Sequence, residues 1–209
     1  PKPKDGKWSA TDIDRFVLRK IEEAGLKPAG DADGDTMIRR LYFDLIGLPP
    51  TPEQIAAAGG RKLSHHDVES LVDELLASRH FGERWGRHWL DVVRFAESSG
   101  GGRTLLMPDA WRYRDYVIDA FNADMPYDRF VREQIAGDLM SSADWQEKGR
   151  QITATAFLVL GPANYELQDK DILEMDIVDE QLDTLGKAFM GMTIGCARCH
   201  DHKYDPITL

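Results

Sequence analysis

Asp171-Ile-Leu-Glu-Met-Asp-Ile-Val-Asp-Glu-Gln-Leu-Asp-Thr-Leu-Gly-Lys-Ala-Phe189 sets Ile172, Met175, Val178, Leu182, Leu185 and Phe189 about 3.5 residues apart. That interval belongs to an α-helix, since a strand would alternate every second residue. One long helix is therefore predicted, with an apolar stripe of the kind that faces a core, running directly into Cys196-Ala-Arg-Cys199-His200.

The same period recurs upstream. Ile13, Phe16, Val17, Ile21 and Ala24 share one face of a first helix, opened by Ser9 or Thr11 and stopped by Gly25. Met37, Ile38, Leu41, Tyr42 and Leu45 form a second after Asp35, which Gly47-Leu-Pro-Pro50 ends. A short third helix begins at Thr51-Pro52, and Ser64 caps a fourth carrying Val68, Leu71, Val72, Leu75 and Leu76. Phe81, Trp85, Trp89, Val92 and Val93 give the next helix an aromatic inner side, and Gly100-Gly-Gly102 closes it. Helices are predicted over Asp109–Asn122 and Tyr127–Leu139, while Ile152–Leu160 reads as helix or buried strand. The expectation is an all-α, irregular multi-helix protein. Residues 1–209 read as one helical domain, with the Gly- and Ser-rich loop Ser98–Gly102 as its candidate hinge.

The 209 residues suffice to bury a core without disulfide staples. Hydrophobic residues make up 42% and charged residues 30%, a balance that excludes disorder over the whole chain. With 26 Lys and Arg against 36 Asp and Glu, the net charge is −10, which repels nucleic-acid phosphates and anionic lipid. No apolar run approaches the roughly 20 residues that span a bilayer. Pro1–Trp8 carries charges and prolines where a signal peptide has its apolar core. The two ends, Pro1-Lys-Pro-Lys4 and Asp205-Pro-Ile-Thr-Leu209, read as cuts through a larger protein.

The chain has two cysteines, and Cys196, Cys199 and His200 form C-x-x-C-H, the attachment pattern of c-type haem. Two thiols three residues apart lie on one helical turn, within reach of the two vinyl groups of one haem. The histidine that follows presents its imidazole to the iron. Other readings stay open. C-x-x-C is also a redox pair, although the βαβ context of a thioredoxin is missing. Cys196, Cys199, His200 and His202 could hold zinc, though four ligands from one short stretch seldom make a tetrahedron. The pair could also be inert.

Several segments together resemble one family. They are Gly82-Glu-Arg-Trp-Gly-Arg-His-Trp-Leu-Asp91, Arg94-Phe-Ala-Glu-Ser98, Ala110-Trp-Arg-Tyr-Arg-Asp-Tyr116, Tyr127-Asp-Arg-Phe-Val-Arg-Glu-Gln134 and Gly195-Cys-Ala-Arg-Cys-His-Asp-His-Lys-Tyr-Asp-Pro-Ile207. Ile13-Asp-Arg-Phe16 and Arg39-Arg-Leu-Tyr-Phe-Asp-Leu-Ile-Gly-Leu-Pro-Pro50 extend the likeness over nearly the whole chain. The chain is similar to the planctomycete cytochrome-associated domain of unknown function. The resemblance implies a piece of a large exported protein, in which a small cytochrome c domain commonly precedes this one and another uncharacterised domain follows it.

Other residues carry a plainer role beside a functional one. Asp31-Ala-Asp-Gly-Asp35 opens like a calcium loop, but Thr36 and Tyr42 stand where Gly and Glu are needed, so it reads as a turn that caps the next helix. Asp169, Asp171, Glu174, Asp176, Asp179, Glu180 and Asp183 read as a solvated helix face, whose charge could also steer a basic redox partner. Haem propionates need cations, and Arg112 and Arg114 are chosen from a set that includes Arg84, Arg87, Arg94 and Arg198. Trp85, Trp89 and Trp111 could wall a haem or simply form core. For the second face of the iron His88 is chosen, because its spacing from Trp85 and Val92 places it on the apolar side of the aromatic helix. His65, His66, His80, His202, Met107, Met190 and Met192 are the alternatives.

The expected function is an extracytoplasmic electron-transfer domain holding one covalent haem c, more a carrier than an enzyme. Its partner would be a redox protein or a neighbouring domain of the same chain. The alternatives are a non-redox module with a Cys/His metal site, or a haem enzyme with an open sixth coordination position. A hydrolase has no support, since no phosphate loop, activated nucleophile or H-E-x-x-H motif occurs.

Overall fold

The computed structural model describes residues 1–2, 8–58 and 60–209. Residues 3–7, on which most of the signal-peptide reading falls, lie outside them. Among the described residues the chain is helical and has no strand, only one isolated antiparallel bridge between Ser98 and Leu106. It divides into two compact units, residues 1–38 with 51–63 and residues 39–50 with 64–209.

In the smaller unit, α1 (Asp12–Glu23) starts at a capping box. The Asp14 N–H donates to Thr11 Oγ1 at 3.2 Å, and Asp14 Oδ2 accepts from the Thr11 N–H at 2.7 Å. Gly25, at φ +71°, follows the helix as the predicted stop. The face expected to be buried is not. Leu18 is buried, whereas Ile13, Phe16 and Val17 are exposed. Among the described residues this unit has α1, the first turn of α2 (Gly34–Leu45) and α3 (Pro52–Ala58), too few elements to cover every apolar position. Asp33 accepts from the Thr36 N–H at 2.8 Å, so the aspartate-rich segment caps α2 as expected.

The larger unit holds α4 (His65–Leu76), α5 (Arg79–Val92), α6 (Trp111–Asn122), α7 (Tyr127–Ala136), α8 (Trp145–Ala154) and α9 (Lys170–Leu185). Ser64 and Asp67 cap α4 reciprocally. Of Ile152–Leu160, open between helix and strand, residues Ile152–Leu158 are helical, as the last turn of α8 and then a 3₁₀ turn at Thr155–Leu158. Leu90, Val93, Tyr113, Val117, Phe130 and Phe157 lie at the centre of the core.

Two glycines set the closest approach of α5 to α6. A Cβ on Gly82 would meet the Ile118 carbonyl oxygen at 2.4 Å, and one on Gly86 would touch Val117 at 3.4 Å. The buried line of α5 therefore runs through Gly82, Gly86 and Leu90, which turns the aromatic residues to its flank. Gly82→Ala is expected to cost about 1–3 kcal/mol, because the obstruction is backbone and cannot swing away. Gly149→Ala, in α8 with open space around it, should instead add about 0.5–1 kcal/mol. Urea unfolding of both variants checks the opposite signs.

Polar groups are buried in the same unit. Glu133 is wholly buried and accepts from Arg129 Nε at 2.9 Å and Arg150 Nη1 at 2.6 Å. Arg129 also reaches Glu147 at 2.5 Å. Burial, and then the nearby Glu133 carboxylate, push the Tyr116 hydroxyl far above the usual tyrosine range. Gln134 accepts from the Tyr113 hydroxyl at 2.5 Å and from Trp89 Nε1 at 3.0 Å.

Candidate functional site

The predicted long helix is present, but its buried side is not the predicted one. α9 continues through a π-helical turn, Gly186–Met190, and stops at Gly191, whose φ is +64°. Leu185 and Phe189 pack on the core, whereas Ile172 (50%), Met175 (61%), Val178 (40%) and Leu182 (49%) are exposed. The cause lies on the opposite side of the helix. Glu180 forms an ion pair with Arg94, accepts from the Thr184 hydroxyl at 3.1 Å, and fits only because Gly161 has no side chain. Arg94 also donates to the Phe157 carbonyl at 3.1 Å, which ties that side of α9 to the core.

Beyond Gly191 the chain folds back along α9 as a 3₁₀ turn, Ile194–Arg198. Three aspartates of α9 moor it. Asp183 accepts from the Gly195 N–H at 3.0 Å, Asp179 from Arg198 Nη1 at 3.2 Å, and Asp176 from Arg198 Nη2 at 2.6 Å. Burial alone would raise the Asp183 pKa, but Lys187 and the Gly195 amide outweigh it and hold the carboxyl below its usual range. Sequence alone assigns these aspartates to a solvated face, whereas here they hold the Cys turn. Their spacing, i, i+3 and i+7, together with the Arg inside the Cys motif, is the signal that would have identified them.

Cys196 and Cys199 are free thiols, both exposed, and the Cys199 N–H closes the turn on the Cys196 carbonyl at 3.4 Å. His200 is exposed, with Nδ1 2.8 Å from the Asp201 carbonyl oxygen. A carbonyl only accepts, so Nδ1 carries a proton, and in the neutral imidazole the lone pair is on Nε2. His202 is the reverse case. Its Nδ1 accepts from the Tyr204 and Asp205 N–H groups at 3.2 and 2.8 Å, leaving Nε2–H to donate to Thr193 Oγ1 at 3.2 Å. At 7% side-chain exposure, with both nitrogens engaged, His202 fastens the loop and is not available as a ligand. Among the described residues no three His, Cys, Asp or Glu side chains gather as a metal site.

The remaining predicted residues lie elsewhere. His88 is exposed, away from the Gly82–Gly86–Leu90 line of α5, and its ring stands edge-on to Trp85 at 5.3 Å. The expectation of an inward-facing His88 is thereby corrected, for the glycine line and not the aromatic one faces α6. Arg112 pairs with Asp109 at 3.0 Å and lies 4.9 Å over Trp111. Arg114 pairs with Asp115 at 2.9 Å and Glu97 at 3.8 Å. Of the arginines considered, Arg198 is the one that stands in the Cys turn. Trp89 is core, stacked with Phe157 and edge-on to Phe130. Two cavities of about 290 Å³ have apolar linings, one against Phe81, Trp89, Phe121 and Phe130, the other against Met107, Tyr113 and Leu160, rather than against the Cys turn.

The family model of PSCyt2, protein of unknown function (DUF1549), matches residues 12–209. The chain belongs to the PSCyt2 family. No curated protein and no solved structure matches it. In this PSCyt2 chain, no described helix is long and apolar enough to cross a membrane.

Proposed function

We propose that this PSCyt2 chain is an extracytoplasmic electron-transfer domain that holds one haem c at Cys196, Cys199 and His200. The observation that supports it is the donor set. Two free, exposed thiols stand on one turn, and the next residue is an exposed imidazole whose Nδ1 is hydrogen-bonded to a carbonyl, with Nε2 on the opposite side of the ring. These are the groups that attachment and iron ligation require. Each thiol would add across a vinyl C=C, its sulfur bonding one carbon and its proton passing to the other, so no oxidant is needed. The Asp201 carbonyl, by accepting from Nδ1–H, fixes the tautomer and the plane of the His200 ring. Arg198, held by Asp176 and Asp179, keeps both cysteines on a preorganised turn. When bound, the haem supplies one-electron transfer. Because haem is ligated to reduced thiols outside the cytoplasm, the protein would work there, with a redox protein or a neighbouring domain as partner. His88, Arg112 and Arg114 lie outside this donor set, beside Trp85, Asp109 and Asp115 respectively.

The test is maturation in cells with haem-ligation machinery, alongside a known c-type cytochrome. The protein is expected to weigh one haem more than its chain and to keep its Soret band after denaturation. Colourless protein of bare-chain mass, or protein with stoichiometric zinc, from cells that mature the control would overturn the proposal.

A further inference from the structure

Three lines of side chains run in parallel along α9, offset from one another by a single position. Asp176, Asp179 and Asp183 moor the Cys turn. One position after each come Ile177, Glu180 and Thr184, the inward side, with Thr184 buried and Glu180 paired to Arg94. One position before each come Met175, Val178 and Leu182, all exposed. A single position on an α-helix is a rotation of about 100°. The moored turn thus has protein core along one flank and an apolar stripe along the other. Cys196 and Cys199 are themselves exposed and so do not open toward the core.

We infer that Met175, Val178 and Leu182 form the bed on which the ring tethered at Cys196 and Cys199 lies. This rests on the attachment reading above. A flat apolar ring needs apolar surface to leave water, and the turn has such surface immediately beside it. The occupant follows from the tether, because thioether bonds hold the ring within reach of the stripe and raise its effective concentration there above that of any free partner. Charge opposes it only weakly, since Arg198 and Lys187 offset two of the three flanking charges of Asp176, Asp179 and Asp183.

The test uses the matured holoprotein and reads circular dichroism in the Soret region, which depends on how asymmetrically the ring is held. Val178→Asp and Leu182→Asp are expected to keep the covalent haem by mass and lose most of the Soret signal. Leu182→Gln should lose part of it, and Leu182→Met should retain it. Leu139→Asp, at a still more exposed site on another element, should change nothing. All of these positions are exposed, so far-ultraviolet spectra should match the parent. Covalent haem with an unchanged Soret signal in both Asp variants would overturn the bed alone and would point to a protein partner or second copy over the stripe. An equal loss in Leu139→Asp would also overturn it. Absence of covalent haem from the unmodified protein would instead overturn the attachment reading, and this one with it.

Discussion

Arg129→Ala combined with Arg150→Ala is expected to lower the stability of the protein by about 3–5 kcal/mol, the cost of leaving a buried carboxylate without its cations. Glu133 has no exposed surface, and these two guanidiniums satisfy its two oxygens. A domain of this kind is stable by only about 5–15 kcal/mol, so the double variant should lose a large share of its stability. Glu133→Gln added to the double variant should recover part of the loss, because the neutral amide removes the unpaired charge. Urea denaturation of the parent, Glu133→Gln, the double variant and the triple variant closes the cycle. A loss below about 1 kcal/mol in the double variant would mean that the network behaves like a surface ion pair.

The second large effect is expected at the Cys turn. Cys196→Ala with Cys199→Ala should abolish covalent haem, since no other cysteine exists in the chain. Either change alone should leave one thioether and move the pyridine haemochrome band to longer wavelength. His200→Ala should keep both thioethers and lose the ligand field of its imidazole, with the spectrum restored by added imidazole. Mass spectrometry separates tethering from ligation, and the spectra report ligation. Equal, mild effects from all three residues would assign the cluster a structural role only.

Much of the local structure was legible in the residues. Thr11 and Ser64 cap their helices with carboxylates three residues on, and Asp33 caps α2, because a side-chain acceptor must satisfy the first free N–H groups wherever a helix starts. The C-x-x-C-H spacing was legible for the same reason, as chemistry confined to five adjacent residues. His202 was not, because its two ring nitrogens found Thr193, Tyr204 and Asp205 only once the loop had closed.

Periodicity assigns residues to a common face but does not say which face finds a partner. The sequence alone determined an all-helical chain, its caps and stops, and a long helix feeding the Cys turn. Tertiary structure decided that α5 packs along Gly82 and Gly86, so that His88 points outward, and that α9 turns Thr184 inward and Met175, Val178 and Leu182 outward. Hydrophobicity ranks side chains by the cost of exposure, but it does not count Arg94 binding Glu180, or the room that Gly161 leaves for it. A paired charge in a fitted gap can hold a helix in a rotation that its apolar residues alone would not choose, because neither partner can be withdrawn without stranding the other.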